Sequence, residues 1–251
     1  MTLTNLAGRA KRKLSKSLAK ARGDDPRLNT FKVDAIREYW AKFKPKTFAD
    51  LGGVWRIDAG YTFEALKRPS TERGYLVDTD FTPPVLEKQR KDPRLHLVNK
   101  NFGDPSVAEA IGPVDVVFFF DTLLHQVKPN WNEILAMYAK IAKGFLIYNQ
   151  QWVGGKQTIR LLDLGEERYL SEVPSEAPTY RGLFQRLDEI NPKHQRPWRD
   201  VHNIWQWGIV DSDLMRTMDD LGFKLELFRN CAQTQKLKNF EDHLFVYTRR
   251  G

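Results

Sequence analysis

Asp115-Val116-Val117-Phe118-Phe119-Phe120-Asp121 sets five consecutive apolar residues between two carboxylates. A run this short, with no polar position inside it, reads as a strand covered on both faces, the kind found in parallel sheets. Outward from it, strand and helix take turns. Upstream, Thr47 to Leu51, Gly74 to Asp78 and Leu95 to Val98 read as strands. Helices are predicted over Val33 to Phe43, with Ile36, Tyr39, Trp40 and Phe43 on one face, and over Tyr61 to Leu66. Two more are predicted over Pro83 to Lys91, opened by two prolines, and over Val107 to Ile111. Downstream come a helix from Trp131 to Ala142, stopped at Gly144, and a fifth strand from Phe145 to Tyr148. Asp211 is expected to cap a helix that runs to Leu221 and ends at Gly222. Leu225 to Phe228 and Leu244 to Tyr247 close the chain as strands joined by a polar loop. The repeated strand–helix units predict a doubly wound α/β sheet, mostly parallel, with helices on both faces. The last strand pair, joined without a helix, predicts an antiparallel edge.

The 251 residues suffice for a core without covalent staples. A single cysteine, Cys231, excludes a disulfide framework and a cysteine-based zinc site, and fits a reducing compartment. Val116 to Phe120, the longest apolar run, falls far short of the roughly 20 residues that span a bilayer, so a cytoplasmic protein is expected. The net charge of +8 is unevenly placed. Arg9, Lys11, Arg12, Lys13, Lys16, Lys20 and Arg22 give +7 in the first 22 residues, leaving about +1 for the other 229. Leu3, Leu6, Ala10, Leu14, Leu18 and Ala21 fall on one helical stripe, so residues 1–25 are expected to form a basic amphipathic helix and residues 26–251 the body. Such a helix either packs on its own domain or lies on an anionic membrane at the inner face. Because the charge sits on one detachable segment rather than on the body, a nucleic-acid partner is the less favoured reading.

In open α/β sheets ligands bind beyond the carboxyl ends of the strands. The first strand ends in Asp50-Leu51-Gly52-Gly53, the second in Asp78-Thr79-Asp80 and the fourth in Asp121-Thr122-Leu123-Leu124-His125. From about residue 45 to 150 this order and spacing resemble the class I S-adenosylmethionine-dependent methyltransferases, and the terminal strand pair fits the same fold. The resemblance implies a Rossmann-like seven-stranded sheet with an antiparallel last strand, and S-adenosylmethionine as cofactor. It implies that Gly52 and Gly53 line the methionyl part and that Asp50 orders the turn. It further implies that Asp78 holds the ribose, that Asn101 or Asp104 faces the adenine, and that Asp121 borders the methyl group. The chain departs from the family's compact glycine turn, because Val54 to Ala59 separates Gly52-Gly53 from Gly60. A hydride-transferring dinucleotide enzyme needs a full Gly-x-Gly-x-x-Gly, which is missing.

Amino-directed methyltransferases of this fold carry an Asn/Asp-Pro-Pro-aromatic motif after strand four. Here Asp121-Thr122-Leu123-Leu124 stands instead, so the resemblance points to oxygen as acceptor. His125, or alternatively His202, is then a candidate general base. A divalent metal with oxygen ligands such as Asp121 and Asn149 is a faintly signalled substitute. Residues 152–208 are expected to form an insertion and substrate lid after strand five, too long for a passive loop. It holds four of the seven tryptophans, Trp152, Trp198, Trp205 and Trp207, along with several Arg and Gln side chains. Flat rings beside amide and guanidinium donors suit a sugar or glycan acceptor, with Trp152, Trp205 and Trp207 as platforms. The same rings equally suit a small core or a homodimer interface. More loosely, the chain resembles methyltransferases of polysaccharide and cell-surface glycan synthesis, which implies an acceptor that can be lipid-linked. The alternatives are a nucleic-acid methyltransferase and a non-catalytic methyltransferase-like binding protein.

Overall fold

The computed structural model describes residues 20–232 and 237–251. The basic stripe expected within residues 1–25 therefore lies, up to residue 19, outside the described residues. In chain order the main elements are α1 (Thr30–Phe43), β1 (Thr47–Leu51), α2 (Gly60–Leu66), β2 (Arg73–Asp78), α3 (Pro83–Lys91) and β3 (Leu95–Asn99). They continue as α4 (Pro105–Ile111), β4 (Val116–Phe120), α5 (Trp131–Ala139), β5 (Gly144–Trp152) and α6 (Glu166–Glu172). The chain ends with α7 (Asp211–Asp220), β6 (Phe223–Asn230) and β7 (Phe240–Arg249).

The seven strands form one sheet in the order β6-β7-β5-β4-β1-β2-β3. Neighbours from β3 to β5 pair in parallel, and β7 runs antiparallel to both β5 and β6. This is the Rossmann-like doubly wound sheet that the strand–helix alternation predicts, with its antiparallel last strand. That strand, β7, lies inside the sheet and β6 takes the edge, in keeping with burial: β7 is covered along most of its length while β6 is half-exposed.

All five residues of β4 are buried. Val116, Phe118 and Phe120 pack with α1 and α2 on one face, and Val117 and Phe119 with α4 and α5 on the other. Phe118 stacks on Phe48 at 5.3 Å, and each such ring buried stabilises the fold by roughly 1.5–3 kcal/mol. Helix α1 starts at Asn29, whose side chain accepts from the Phe31 N–H, and Trp40 on its buried face donates to Thr71 Oγ1 at 2.8 Å. At α7 the expected cap is absent. Val210 occupies the N-cap, and the Asp211 carboxylate takes His243 Nδ1 at 2.8 Å instead.

Residues 153–206 fold into a packed insertion with its own core, built on Tyr169, Tyr180, Leu183, Val201 and Ile204. Trp152, Trp205 and Phe240 join it, with Trp205 and Phe240 edge to face at 4.8 Å. Among the described residues no helix is long and apolar enough to cross a membrane.

Candidate active site

Strand order reverses between β1 and β4, so their carboxyl ends frame the crevice where a doubly wound sheet takes its ligand. Gly52, just past β1, has a φ of 79°, and its N–H donates to the Val77 carbonyl at 2.8 Å. A Cβ there would stand 2.9 Å from Thr122 Cγ2, so glycine is what lets the ends of β1 and β4 approach. Gly53 makes room for a carboxylate, because a Cβ at that position would collide with Asp50 Oδ2. Asp50 is fully buried and accepts from Thr62 Oγ1 at 2.6 Å, while its Oδ1 has no hydrogen-bond partner among the described residues. Burial pushes its carboxyl up to about 6, against the Thr62 hydrogen bond.

Asp78 ends β2. Its Oδ1 accepts from the Thr79 N–H at 2.8 Å and its Oδ2 from the Val54 N–H at 3.1 Å, which ties the glycine turn to β2. Burial raises this carboxyl too, opposed by the backbone N–H groups around it. The cleft beside these turns is lined by Gly52, Asp78, Asn101, Phe102, His125 and His202, among others. Five residues chosen from sequence thus converge, namely Gly52, Asp78, Asn101, His125 and His202, with Asp50 and Gly53 behind them. Asp104 is not among them. It caps α4, accepting from the Ser106 N–H at 2.9 Å, so Asn101 is the residue of the pair that meets the cleft.

The two histidines differ in what they can do. Arg196 Nη1 lies 2.6 Å from His202 Nε2, and a guanidinium only donates, so that nitrogen must accept. His202 Nδ1 lies 2.7 Å from Asn101 Nδ2, and burial beside Arg196 holds the imidazole down at about 4. Asn101 Oδ1 accepts from the Gly103 N–H, so its Nδ2 is a donor as well. A neutral imidazole has one lone pair and His202 faces a donor at each nitrogen, which leaves none free for a proton and corrects its candidacy as base. His125 Nδ1 donates to the Ile204 carbonyl at 2.7 Å, leaving the lone pair on Nε2. Burial holds its pKa below the usual imidazole value. The tryptophan platforms are corrected as well. Trp152 and Trp205 are 3% and 5% exposed within the insertion's core, and Trp207 Nε1 donates to the Gln126 carbonyl at 2.7 Å. None of the three lines the cleft, which the insertion reaches through His202.

Asp121, the first residue past β4, has a φ of 60°. Its Oδ2 is ion-paired with Lys32 of α1, and its Oδ1 accepts from Gln150 Nε2 at 2.8 Å. Gln150 also donates to Asp242 Oδ1 of β7 at 3.0 Å. Asn149, the other candidate metal ligand, donates its amide to the Gln150 carbonyl. Among the described residues no group of three or more His, Cys, Asp and Glu side chains could hold a metal ion. Lys32, Gln150 and Asp242 escaped the sequence reading. Lys32 did leave a trace, because it shares the apolar stripe of α1 with Ile36 and Tyr39, where an unpaired lysine is costly.

The cleft fits an adenosyl ligand. Each Asp78 oxygen keeps a lone pair for a ribose hydroxyl, Phe102 offers a flat apolar wall, and Gly52 leaves the crevice floor without a side chain. Fold and crevice together define the class, and the chain has the class I S-adenosylmethionine-dependent methyltransferase fold. No protein-family model matches it, and no curated protein matches it in sequence. Solved structures do. The N-terminal domain of EvdMO1, crystallised in the presence of S-adenosylhomocysteine and D-fucose, matches with a TM-score of 0.55 at 12% identity over 87% of this chain and 83% of that one. The 1,6-didemethyltoxoflavin-N1-methyltransferase of Burkholderia thailandensis, with bound 1,6-didemethyltoxoflavin and S-adenosylhomocysteine, gives 0.55 at 11% identity over 97% and 87%. The N-methyltransferase NodS of Bradyrhizobium japonicum gives 0.52 at 8% identity over 91% and 99%. Likeness at these identities is a likeness of fold.

Proposed function

We propose that the protein is an S-adenosylmethionine-dependent O-methyltransferase acting on a hydroxyl of a sugar or glycan. The observation that carries the reading is the convergence of Gly52, Asp78 and Asn101 on one cleft at the switch point of a methyltransferase fold. When bound, S-adenosylmethionine supplies an electrophilic methyl group. Asp78 would hold the ribose hydroxyls, Asn101 and Phe102 the adenine, and the Gly52-Gly53 turn the methionyl part, with Asp50 fixing that turn from behind. Transfer from a sulfonium is an in-line displacement, so the protein's task is to align the acceptor and take its proton.

Three features support oxygen. The residues after β4 lack the proline motif of amino-directed enzymes. Cys231, the only thiol, is fully buried. A carboxylate held in place past β4 is what a hydroxyl needs and a neutral amine does not. A sugar acceptor is supported by the fold-mate crystallised in the presence of D-fucose.

Calorimetric titration with S-adenosylmethionine and S-adenosylhomocysteine tests the core of the reading. Micromolar binding of both is expected, weakened at least about tenfold in Asp78→Ala, the scale of losing charge-assisted hydrogen bonds. Failure of the folded protein to bind either ligand would overturn it. An acceptor screen would then begin with D-fucose and other glycosides.

A further inference from the structure

We propose that the carboxylate of Asp121, anchored by Lys32 and next in the chain to the cleft-lining Thr122, borders the cleft at its acceptor end and receives the proton of the acceptor hydroxyl. The inference rests on reading the cleft as an S-adenosylmethionine site. It assigns the acceptor end to the α1 side of the sheet, where Lys32 holds Asp121.

The argument begins with a lysine in an expensive place. Lys32 is 3% exposed, and its ammonium lies 5.2, 5.6 and 4.6 Å from the ring centres of Tyr61, Phe120 and Tyr148. An ammonium taken out of water needs a partner close by, and Asp121 is that partner. The Asp121 charge, helped by that of Asp242, outweighs burial and keeps Lys32 protonated. The pair is asymmetric. The lysine side chain is 4% exposed and the aspartate 41%, so the cation is sealed in while the carboxylate keeps an open edge. Lys32 and Gln150 claim one lone pair on each carboxylate oxygen, and two lone pairs remain for an incoming hydroxyl.

The backbone supports the same conclusion. Asp121 holds a left-handed φ of 60° one residue before Thr122, whose methyl group packs on the Gly52 turn. A side chain kept in a sparsely populated conformation by its surroundings is typical of functional positions. The groups facing Lys32 are Asp50 from β1, Tyr61 from α2, Asp121 past β4, Tyr148 and Gln150 from β5, and Asp242 from β7. One ammonium thus faces three carboxylates, an excess of negative charge that suits a sulfonium.

The step balances. The hydroxyl oxygen forms the new C–O bond, the S–C bond breaks with its electron pair on sulfur, and the hydroxyl proton passes to Asp121. One positive charge on sulfur and one negative charge on Asp121 disappear together. Lys32 acts through Asp121 and is a positioning residue.

The test compares affinities for S-adenosylmethionine and S-adenosylhomocysteine, which differ at the sulfur by a methyl group and a positive charge. Asp121→Asn is expected to weaken the sulfonium ligand about tenfold relative to the thioether, the size expected for unit charges about 3 Å apart screened as in water. Lys32→Met is expected to shift the same ratio the other way by a similar factor. A merely structural role would move both ligands together. An unchanged ratio in Asp121→Asn overturns the proposal while leaving the cofactor reading intact. Wild-type protein that binds neither ligand overturns both. Should Lys32→Met fail to fold, Asp121→Asn decides alone, being a near-isosteric change of a half-exposed side chain.

Discussion

Asp242 shows how one residue carries the electrostatic strain of this site. It is 1% exposed, takes Gln150 at 3.0 Å, and is pushed up to about 6 by burial and by the neighbouring Asp121 charge, against Gln150, Lys32 and Tyr148. Its ordinary value is 3.8, so the folded protein binds this proton more tightly than the unfolded chain does. Stability from this group is therefore present at low pH and lost as pH rises from about 4 through 6. Asp242→Asn removes the charge and keeps the acceptor for Gln150. The variant is expected to outmelt the wild type above pH 6, by at most about 3 kcal/mol, and to lose that advantage by pH 4. Thermal melts at both ends of the window check the sign. An advantage that grew on acidification would contradict it.

Among the elements, the insertion is where packing and recognition are easiest to confuse. Trp205 sits between Phe240 of β7 and the His125 ring, and its backbone carbonyl accepts from Tyr169. Trp205→Ala is expected to cost roughly 3–5 kcal/mol, read as a lower urea midpoint, while S-adenosylhomocysteine affinity of the folded variant stays unchanged. The sheet and its helices were legible because period and punctuation were strong. Thr47–Leu51 and Pro83–Lys91 fall where alternation, a proline pair and a following polar stretch predict them. Elements held by distant partners were not. Strand β5 runs on to Trp152 through Asn149, Gln150 and Gln151, polar residues that look like a loop until β7 is laid beside them. The meeting of Gly52, Asp78 and Asn101 at one cleft was legible because these residues follow strands directly. The Lys32–Asp242 neighbourhood was not, since the two residues come from elements far apart in the chain. Trp152 and Trp205 were misleading because an aromatic in a core and one on a platform look alike in a string of letters.

For the whole molecule, charge is the property that composition alone predicts. With +7 on residues 1–22 and about +1 on the rest, the proposed contact with anionic membrane belongs to the segment and not to the body. Deleting residues 1–22 is expected to abolish co-sedimentation with vesicles of anionic phospholipid at low salt, while S-adenosylhomocysteine affinity changes by less than about twofold. Unchanged co-sedimentation would place the contact elsewhere. The position of β7 has a consequence for how the protein is made. Ten of the last twelve residues form a strand wedged between β5 and β6, and that strand delivers Asp242 to Lys32, which lies near the start of the chain. This strand follows every other strand of the sheet in chain order, so the crevice around β1 to β4 can take shape before it, whereas the Lys32 enclosure waits for β7. A chain cut before Phe240 would therefore lose Asp242 together with an interior strand of the sheet.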